Sequence, residues 1–245
     1  MKLTQLVSDR PPYYTSFMLV GLIGGLLYWQ RAAKRDGRLL GIYLGAVLGM
    51  FLGAKAVYLA AQGWSDWPLP DRWVRLAVGR SVLGALLGGY IGVEWAKRAS
   101  KYPFATSDRF ARIVPISLVL GRVGCLLNGC CLGVVCEASH WWTLNDFAGK
   151  PRWPAPLIEL GFNLMAIVAF WLLRRTHRLA GQHFHLYLIA YGLFRMAHEP
   201  LRDTPKNSGG WSGYQIAAGV LVLFGAFRFW QRQRRPPPQP SFRSA

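Results

Sequence analysis

Apolar residues in this chain are gathered into blocks. Seven stretches, roughly 14–30, 40–62, 77–96, 110–133, 156–173, 183–198 and 213–230, carry few charges and are separated by polar segments. Wound as helices rising about 1.5 Å per residue, they approach the ~30 Å thickness of a hydrocarbon core. The pattern predicts an all-α membrane protein with seven transmembrane helices, forming one polytopic domain over 1–235. Nothing before the first stretch has the charged, short-apolar, small-residue order of a cleaved signal, so that helix is expected to be retained. The Pro-rich end, 236–245, cannot propagate a helix and is expected to be disordered.

Glycines recur every three or four residues within the blocks, as in "GIYLGAVLGMFLGA" and "GALLGGYIG". Such spacing lets helix backbones approach closely and predicts a tight bundle. Charge then orients it. "RAAKRDGR", "KRASKYPFATSDR", "RRTHR" and "RQRR" follow the first, third, fifth and seventh blocks and fall on one side, whereas "SDWPLPDRWVR", "EASHWWTLNDFAGKPRW" and "EPLRDTPKNSGG" are mixed in sign. Loops rich in Lys and Arg stay cytoplasmic. The N-terminus is therefore expected outside, the C-terminus in the cytoplasm, and a small periplasmic segment, 134–155, between spans four and five. Its tryptophans suit the headgroup belt. The net charge of +18 belongs to span ends and shows no aromatic-interleaved patch, which argues for contact with anionic lipid and against nucleic acid.

Ionisable residues within apolar blocks are costly and mark functional positions. Lys55, Arg122, Glu159, Arg195, Glu199 and Arg202 stand out. Arg195, Glu199 and Arg202 are four and three apart and share a helical face unless Pro200 redirects the chain; they could simply neutralise one another. Arg122 opens "GRVGCLLNGCCLG", where glycines leave space beside a guanidinium that stays charged. That combination suits the paired hydrogen bonds of a phosphate, and at this depth the phosphate belongs to a phospholipid. The cysteines, Cys125, Cys130, Cys131 and Cys136, lack the CxxC pairs and matching histidines of a structural zinc site, so no metal is expected. A disulfide from Cys136 to Cys130 or Cys131 stays open.

These segments resemble the prolipoprotein diacylglyceryl transferase family. "GRVGCLLNGCCLG" is similar to the family's G-R-x-G-N-F-x-N-G-E-x-x-G at Gly121, Arg122, Gly124, Asn128, Gly129 and Gly133. "YYTSFMLVG" resembles the first-helix segment with its tyrosine, here Tyr14. "FLGAKAVY" resembles a segment in which Lys55 takes an arginine's place, and "SVLGALLGG", starting at Ser81, resembles S-F-H-G-G-L-I-G. "RWPAPLIE" and "YLIAYGLFRMAHEPLR" are similar to segments that place Glu159, the second essential arginine Arg195, Glu199 and Arg202. The resemblance implies a multi-pass enzyme of the bacterial inner membrane that needs no cofactor. It would move the diacylglyceryl group of phosphatidylglycerol to the lipobox cysteine of a prolipoprotein and release glycerol phosphate. Arg122 and Arg195 would be catalytic; Tyr14, Lys55, Ser81, Asn128, Gly129, Gly133, Glu159, Glu199 and Arg202 would bind the phospholipid.

Several family positions differ. The family histidine of the third span, a group that could activate the thiol, is Leu83; its signature Asn and Glu are Cys125 and Cys130; its histidine and tyrosine before the glutamate are Trp153 and Ile158. Leucine accepts no proton. His198, or Cys125 or Cys130 acting as a nucleophile, are auxiliary candidates, with small-side-chain packing the plainer role for the cysteines. A different acceptor, or a lipid-binding protein without catalysis, are the alternatives to the transferase reading.

Overall fold

A computed structural model describes residues 13–34 and 36–234, and of Tyr13 and Tyr14 the backbone only; the tail 236–245 lies outside the described residues. Seven long helices occur among the described residues: α1 (Tyr13–Ala33), α2 (Arg38–Tyr58), α3 (Val82–Ala99), α4 (Ser107–Leu127), α5 (Ala155–Arg175), α6 (His183–His198) and α7 (Gly213–Arg234). Each overlaps one apolar block. Four helical stretches are long and apolar enough to cross a membrane: Arg38–Asp66, Ser107–Leu127, Ala155–Arg175 and Gly213–Arg234. Arg72–Val78 and Val82–Ala99, bent by 48° at their junction, form a fifth if taken together. Large apolar side chains such as Leu52, Met165 and Leu223 point outward, where lipid would cover them. The chain is a multi-pass, mostly helical membrane protein.

Three boundaries depart from the sequence expectation, each for a local reason. The third block begins as the separate short helix Arg72–Val78; the chain then turns at Gly79, and α3 starts only after Ser81, whose Oγ accepts from the Gly84 N–H at 3.4 Å. The second block passes through a π-helical turn, Leu59–Gly63, before it ends. The fourth stops at Leu127, six residues before 133. There Gly129 takes φ +57°, its N–H donates to the Leu126 carbonyl (3.1 Å), and the Cys130 N–H donates to the Cys125 carbonyl (3.0 Å). This paired closure with a left-handed glycine ends helices and folds the chain back over their last turn.

The segment 134–155 holds a small hairpin, β1 (Leu144–Asn145) against β2 (Pro151–Arg152), with Leu144 opposite Arg152. Asp146 closes its turn: Oδ1 accepts from the N–H groups of Ala148 and Lys150, both at 2.9 Å.

Helix contacts follow the glycines. A methyl group at Gly49 would run into the Gly88 carbonyl, and one at Gly84 into that of Gly53, so α2 and α3 touch backbone to backbone. Gly192 of α6 meets Val222 and the Ala218 carbonyl of α7 in the same way. Aromatic rings fill the interior, with Trp29 tilted over Phe110 at 4.8 Å and stacked on Tyr43 at 6.0 Å. Between α1, α2, α3 and α4 lies an elongated cavity of about 390 Å³, lined by apolar side chains such as Met18, Met50, Leu86 and Leu118. Ser81 and Arg122 line one end and Glu94 and Arg232 the other, about 20 Å apart along α3 and α4.

Candidate active site

Residues from five segments converge at the Arg122 end of the bundle: the C-terminal parts of α4 and α6, the N-terminal part of α5, the turn after α6, and Ser212 just before α7. Proline sets the start of α5, with Pro154 preceding it and Pro156 in its first turn, where a missing N–H costs nothing. That start places Glu159, fully buried, at the centre of a cluster. Its Oε1 accepts from Arg122 Nη2 at 2.6 Å and from the Tyr191 hydroxyl at 2.8 Å. Its Oε2 accepts from Arg195 Nη1 at 3.5 Å and Arg202 Nη1 at 3.4 Å.

Glu199 is the second anionic centre. It too is fully buried, takes Arg195 Nη2 at 2.6 Å, and accepts from Thr204 Oγ1 at 2.8 Å and Ser212 Oγ at 3.3 Å. Pro200 does redirect the chain. Helix α6 ends at His198, Glu199–Leu201 is a 3-10 turn, and Arg202 is extended, yet its Nε comes back to 3.9 Å from Glu199.

Three guanidiniums therefore face two carboxylates, and one positive charge is left over. The Nε atoms of Arg195 and Arg202 are buried and have no hydrogen-bond partner among the described residues. Donors that cost energy when left unpaired are thus available to an incoming acceptor. Arg122 also lines the apolar cavity, so the ionised centre and the apolar space are continuous.

Of the residues singled out by sequence, Arg122, Glu159, Arg195, Glu199 and Arg202 come together here. Asn128 caps the C-terminus of α4 beside them, and Gly129 supplies the turn. Gly133 lets its segment lie against the Leu201 carbonyl, which a side chain would strike, and its N–H donates to the Trp153 carbonyl at 2.8 Å. Ser81 lines the cavity as the cap of α3. Lys55 is elsewhere engaged: Nζ donates to the Leu76 carbonyl, to Ala77 at 3.2 Å and to Gly79 at 3.3 Å, holding the end of the short helix. The side chain of Tyr14 lies outside the described residues.

Leu83 is buried in the hydrophobic core. His198 Nε2 receives the Trp153 indole N–H at 2.9 Å. An indole nitrogen only donates, so the neutral imidazole carries its proton on Nδ1 and keeps no free lone pair. Cys125 Sγ accepts from Arg122 Nη1 at 3.6 Å. All four cysteines are free, and Sγ of Cys125, Cys130 and Cys131 lie within 4.8 Å of one another, a grouping that their spacing did not predict.

Some supporting groups were missed. Tyr187, Tyr191 and Arg195 recur every four residues along α6 and Glu199 follows at the same interval just past its end, while Glu159 and Asn163 are four apart on α5; this polar stripe in apolar helices was a usable signal. The Tyr187 hydroxyl donates to Asn163 Oδ1 at 2.7 Å, and Asn163 Nδ2 to the Glu159 carbonyl at 2.8 Å. Outside the helices, Arg152 ties the hairpin to the cluster's outer turn: Nε donates to Asp146 at 2.9 Å and Nη1 to Asp203 at 2.8 Å. The Lys150 N–H and the Arg152 guanidinium hold the Asp146 carboxyl below the usual aspartate range.

Fold and cluster define the class: a multi-pass helical membrane protein with an ionised centre buried at one end of the bundle. The sequence model of the prolipoprotein diacylglyceryl transferase family matches residues 7–231, and the chain belongs to that family. Three similar curated proteins carry the name phosphatidylglycerol-prolipoprotein diacylglyceryl transferase. One from Shewanella sp. (strain MR-4) is 26% identical over 238 residues, covering 88% of this chain and 85% of its own length. One from Legionella pneumophila (strain Philadelphia 1) is 25% identical over 237 residues, covering 90% and 92%. One from Aeromonas hydrophila is 29% identical over 201 residues, covering 77% and 72%.

Proposed function

We propose that this chain carries out the reaction in its relatives' name: it transfers the diacylglyceryl group of phosphatidylglycerol to the cysteine thiol of a prolipoprotein. The observation that carries the reading is the single surplus positive charge of the Arg122, Arg195, Arg202, Glu159 and Glu199 cluster beside an apolar cavity. A phosphodiester carries one negative charge and would neutralise it, while an acyl chain lies in the cavity lined by Met18, Met50 and Leu118.

The chemistry is a displacement at carbon. The acceptor's thiolate sulfur attacks the glycerol carbon that bears the phosphate, a C–S bond forms, and the C–O bond breaks with its electron pair staying on the phosphate oxygen. Glycerol phosphate leaves with one more negative charge than the diester had. Hydrogen bonds from Arg122 and Arg195 strengthen as that charge grows, which lowers the barrier. Glu159 positions both guanidiniums. The thiol proton passes to solvent, because Leu83 accepts none and the His198 lone pair is engaged by Trp153.

The same reading places all seven helices across the bacterial inner membrane as one domain, N-terminus outside and C-terminus cytoplasmic. Basic residues in the last turns of α1, α3, α5 and α7 support this orientation, since these ends share the side opposite the cluster. The cluster then faces the outer leaflet, where a secreted prolipoprotein presents its cysteine. Purified protein incubated with phosphatidylglycerol and a lipobox peptide should give the diacylglyceryl thioether and an equal amount of glycerol phosphate by mass spectrometry. Glycerol phosphate without peptide adduct would assign a different acceptor, and neither product would reject the enzyme reading.

A further inference from the structure

The transferase chemistry uses none of the four cysteines, yet three of them are brought together. We propose that Cys125, Cys130 and Cys131 form a three-thiolate site for a thiophilic d10 metal ion, Cu(I) or Zn(II).

Geometry is the first support. Sγ of Cys131 lies 3.8 Å from Sγ of Cys125 and 3.8 Å from Sγ of Cys130, and all three fall within 4.8 Å of one another. Thiolates bound at ~2.3 Å from one ion sit about 3.8 Å apart in a tetrahedral site and about 4.0 Å apart in a trigonal one. The sulfurs therefore need little movement to share an ion.

The backbone is the second. Cys130 reaches Cys125 because the chain folds back at Gly129, where the Cys130 N–H is held by the Cys125 carbonyl at 3.0 Å. Cys131 then takes φ +61°, a left-handed conformation that disfavours a side chain and persists where the surroundings impose it. That strained residue is what turns the third sulfur toward the other two.

Charge and access complete the case. Arg122 Nη1 donates to Cys125 Sγ at 3.6 Å, and the positive field of Arg122 and Arg202 reaches Cys131. Arg122 thereby orients one sulfur of the metal–thiolate centre. Cys125 is buried while Cys131 is exposed, which gives an ion a way in. With sulfur as the donor, soft cations are selected over Mg(II) or Ca(II). Binding replaces three S–H bonds by three metal–sulfur bonds and releases three protons to solvent, with no change of oxidation state.

The test uses full-length, reduced, metal-free protein in detergent. Cu(I), and separately Zn(II), would be titrated against a competing chelator, and the metal-loaded protein alkylated and mapped by mass spectrometry. One equivalent should bind, Cys125, Cys130 and Cys131 should be protected, and Cys136 should be labelled. Cys125→Ser, Cys130→Ser and Cys131→Ser should each weaken binding by more than the roughly hundredfold that losing an outer-shell partner can cost, with Cys136→Ser unchanged. The preferred ion is the one that wins the competition. No stoichiometric binding of either ion, equal labelling of all four cysteines with metal present, or a disulfide among the three in place of metal would overturn the site. Protection in the wild-type protein decides the matter even if a serine variant fails to fold.

Discussion

Replacing Glu159 with Gln keeps the shape of the side chain and removes the charge on which three guanidiniums converge. Glu159 is completely buried and accepts from Arg122 at 2.6 Å, Tyr191 at 2.8 Å, Arg202 at 3.4 Å and Arg195 at 3.5 Å. The surplus positive charge of the cluster rises from one to two, and Gln turns an N–H toward donors. Removing one partner of a buried ion pair costs about 3–5 kcal/mol. At about 2–4 °C per kcal/mol for a chain of this size, the midpoint of thermal unfolding should fall by about 10 °C. Tryptophan fluorescence on heating in detergent would measure it. Arg122→Gln combined with Glu159→Gln restores a surplus of one, so the double variant should lose less than the sum of its parts. A Glu159→Gln protein that melts within about 1 °C of wild type, or strict additivity in the double variant, would refute the buried-hub reasoning.

Other outcomes follow from the same contacts. Gly88→Ala drives a methyl into the Gly49 carbonyl and should destabilise by about 1–3 kcal/mol, whereas Gly24→Ala, with nothing within 4 Å, should be neutral or slightly stabilising; denaturation in mixed detergent distinguishes them. The Asp146 carboxyl is held below its usual range in the folded hairpin, so its contribution is present above the unfolded pKa and is lost as pH falls through the lower folded value. Exchange protection of the Ala148 and Lys150 amides, corrected for intrinsic rates, should therefore decline below about pH 4. With Leu83 unable to take a proton, log kcat/KM for peptide lipidation should rise with pH up to the acceptor thiol's own ionisation near about 8.5, and a plateau near about 6.5 would reveal a histidine base.

Much of this was legible in the sequence, and the failures are instructive. Apolar blocks located all seven helices because burying or lipid-covering a helix requires a long apolar run, and glycine spacing foretold a tight bundle, whose closest approach lies between α2 and α3 at Gly49 and Gly88. Block ends were misjudged where a single residue decides them: Ser81 starts α3 and the left-handed Gly129 stops α4, neither of which interrupts hydropathy. The charged residues of the cluster were found individually, since each stands out against lipid. That the arginines share Glu159 was not, because contact between Arg122 and Glu159, 37 residues apart, depends on how α4 and α5 pack. Lys55 looked equally exceptional, yet it serves the carbonyls at the end of the short helix. The cysteine grouping escaped spacing rules because it arises from a reversal of the chain at Gly129 and not from a CxxC turn.

The central claim is that Arg122 holds the lipid phosphate. The most direct measurement is the turnover of Arg122→Gln with phosphatidylglycerol and a lipobox peptide, made on protein whose helical signal and elution match wild type. Losing a charged donor aimed at the leaving phosphate should lower kcat by about a hundredfold to a thousandfold. An Arg122→Gln protein that forms the thioether at the wild-type rate would contradict the account.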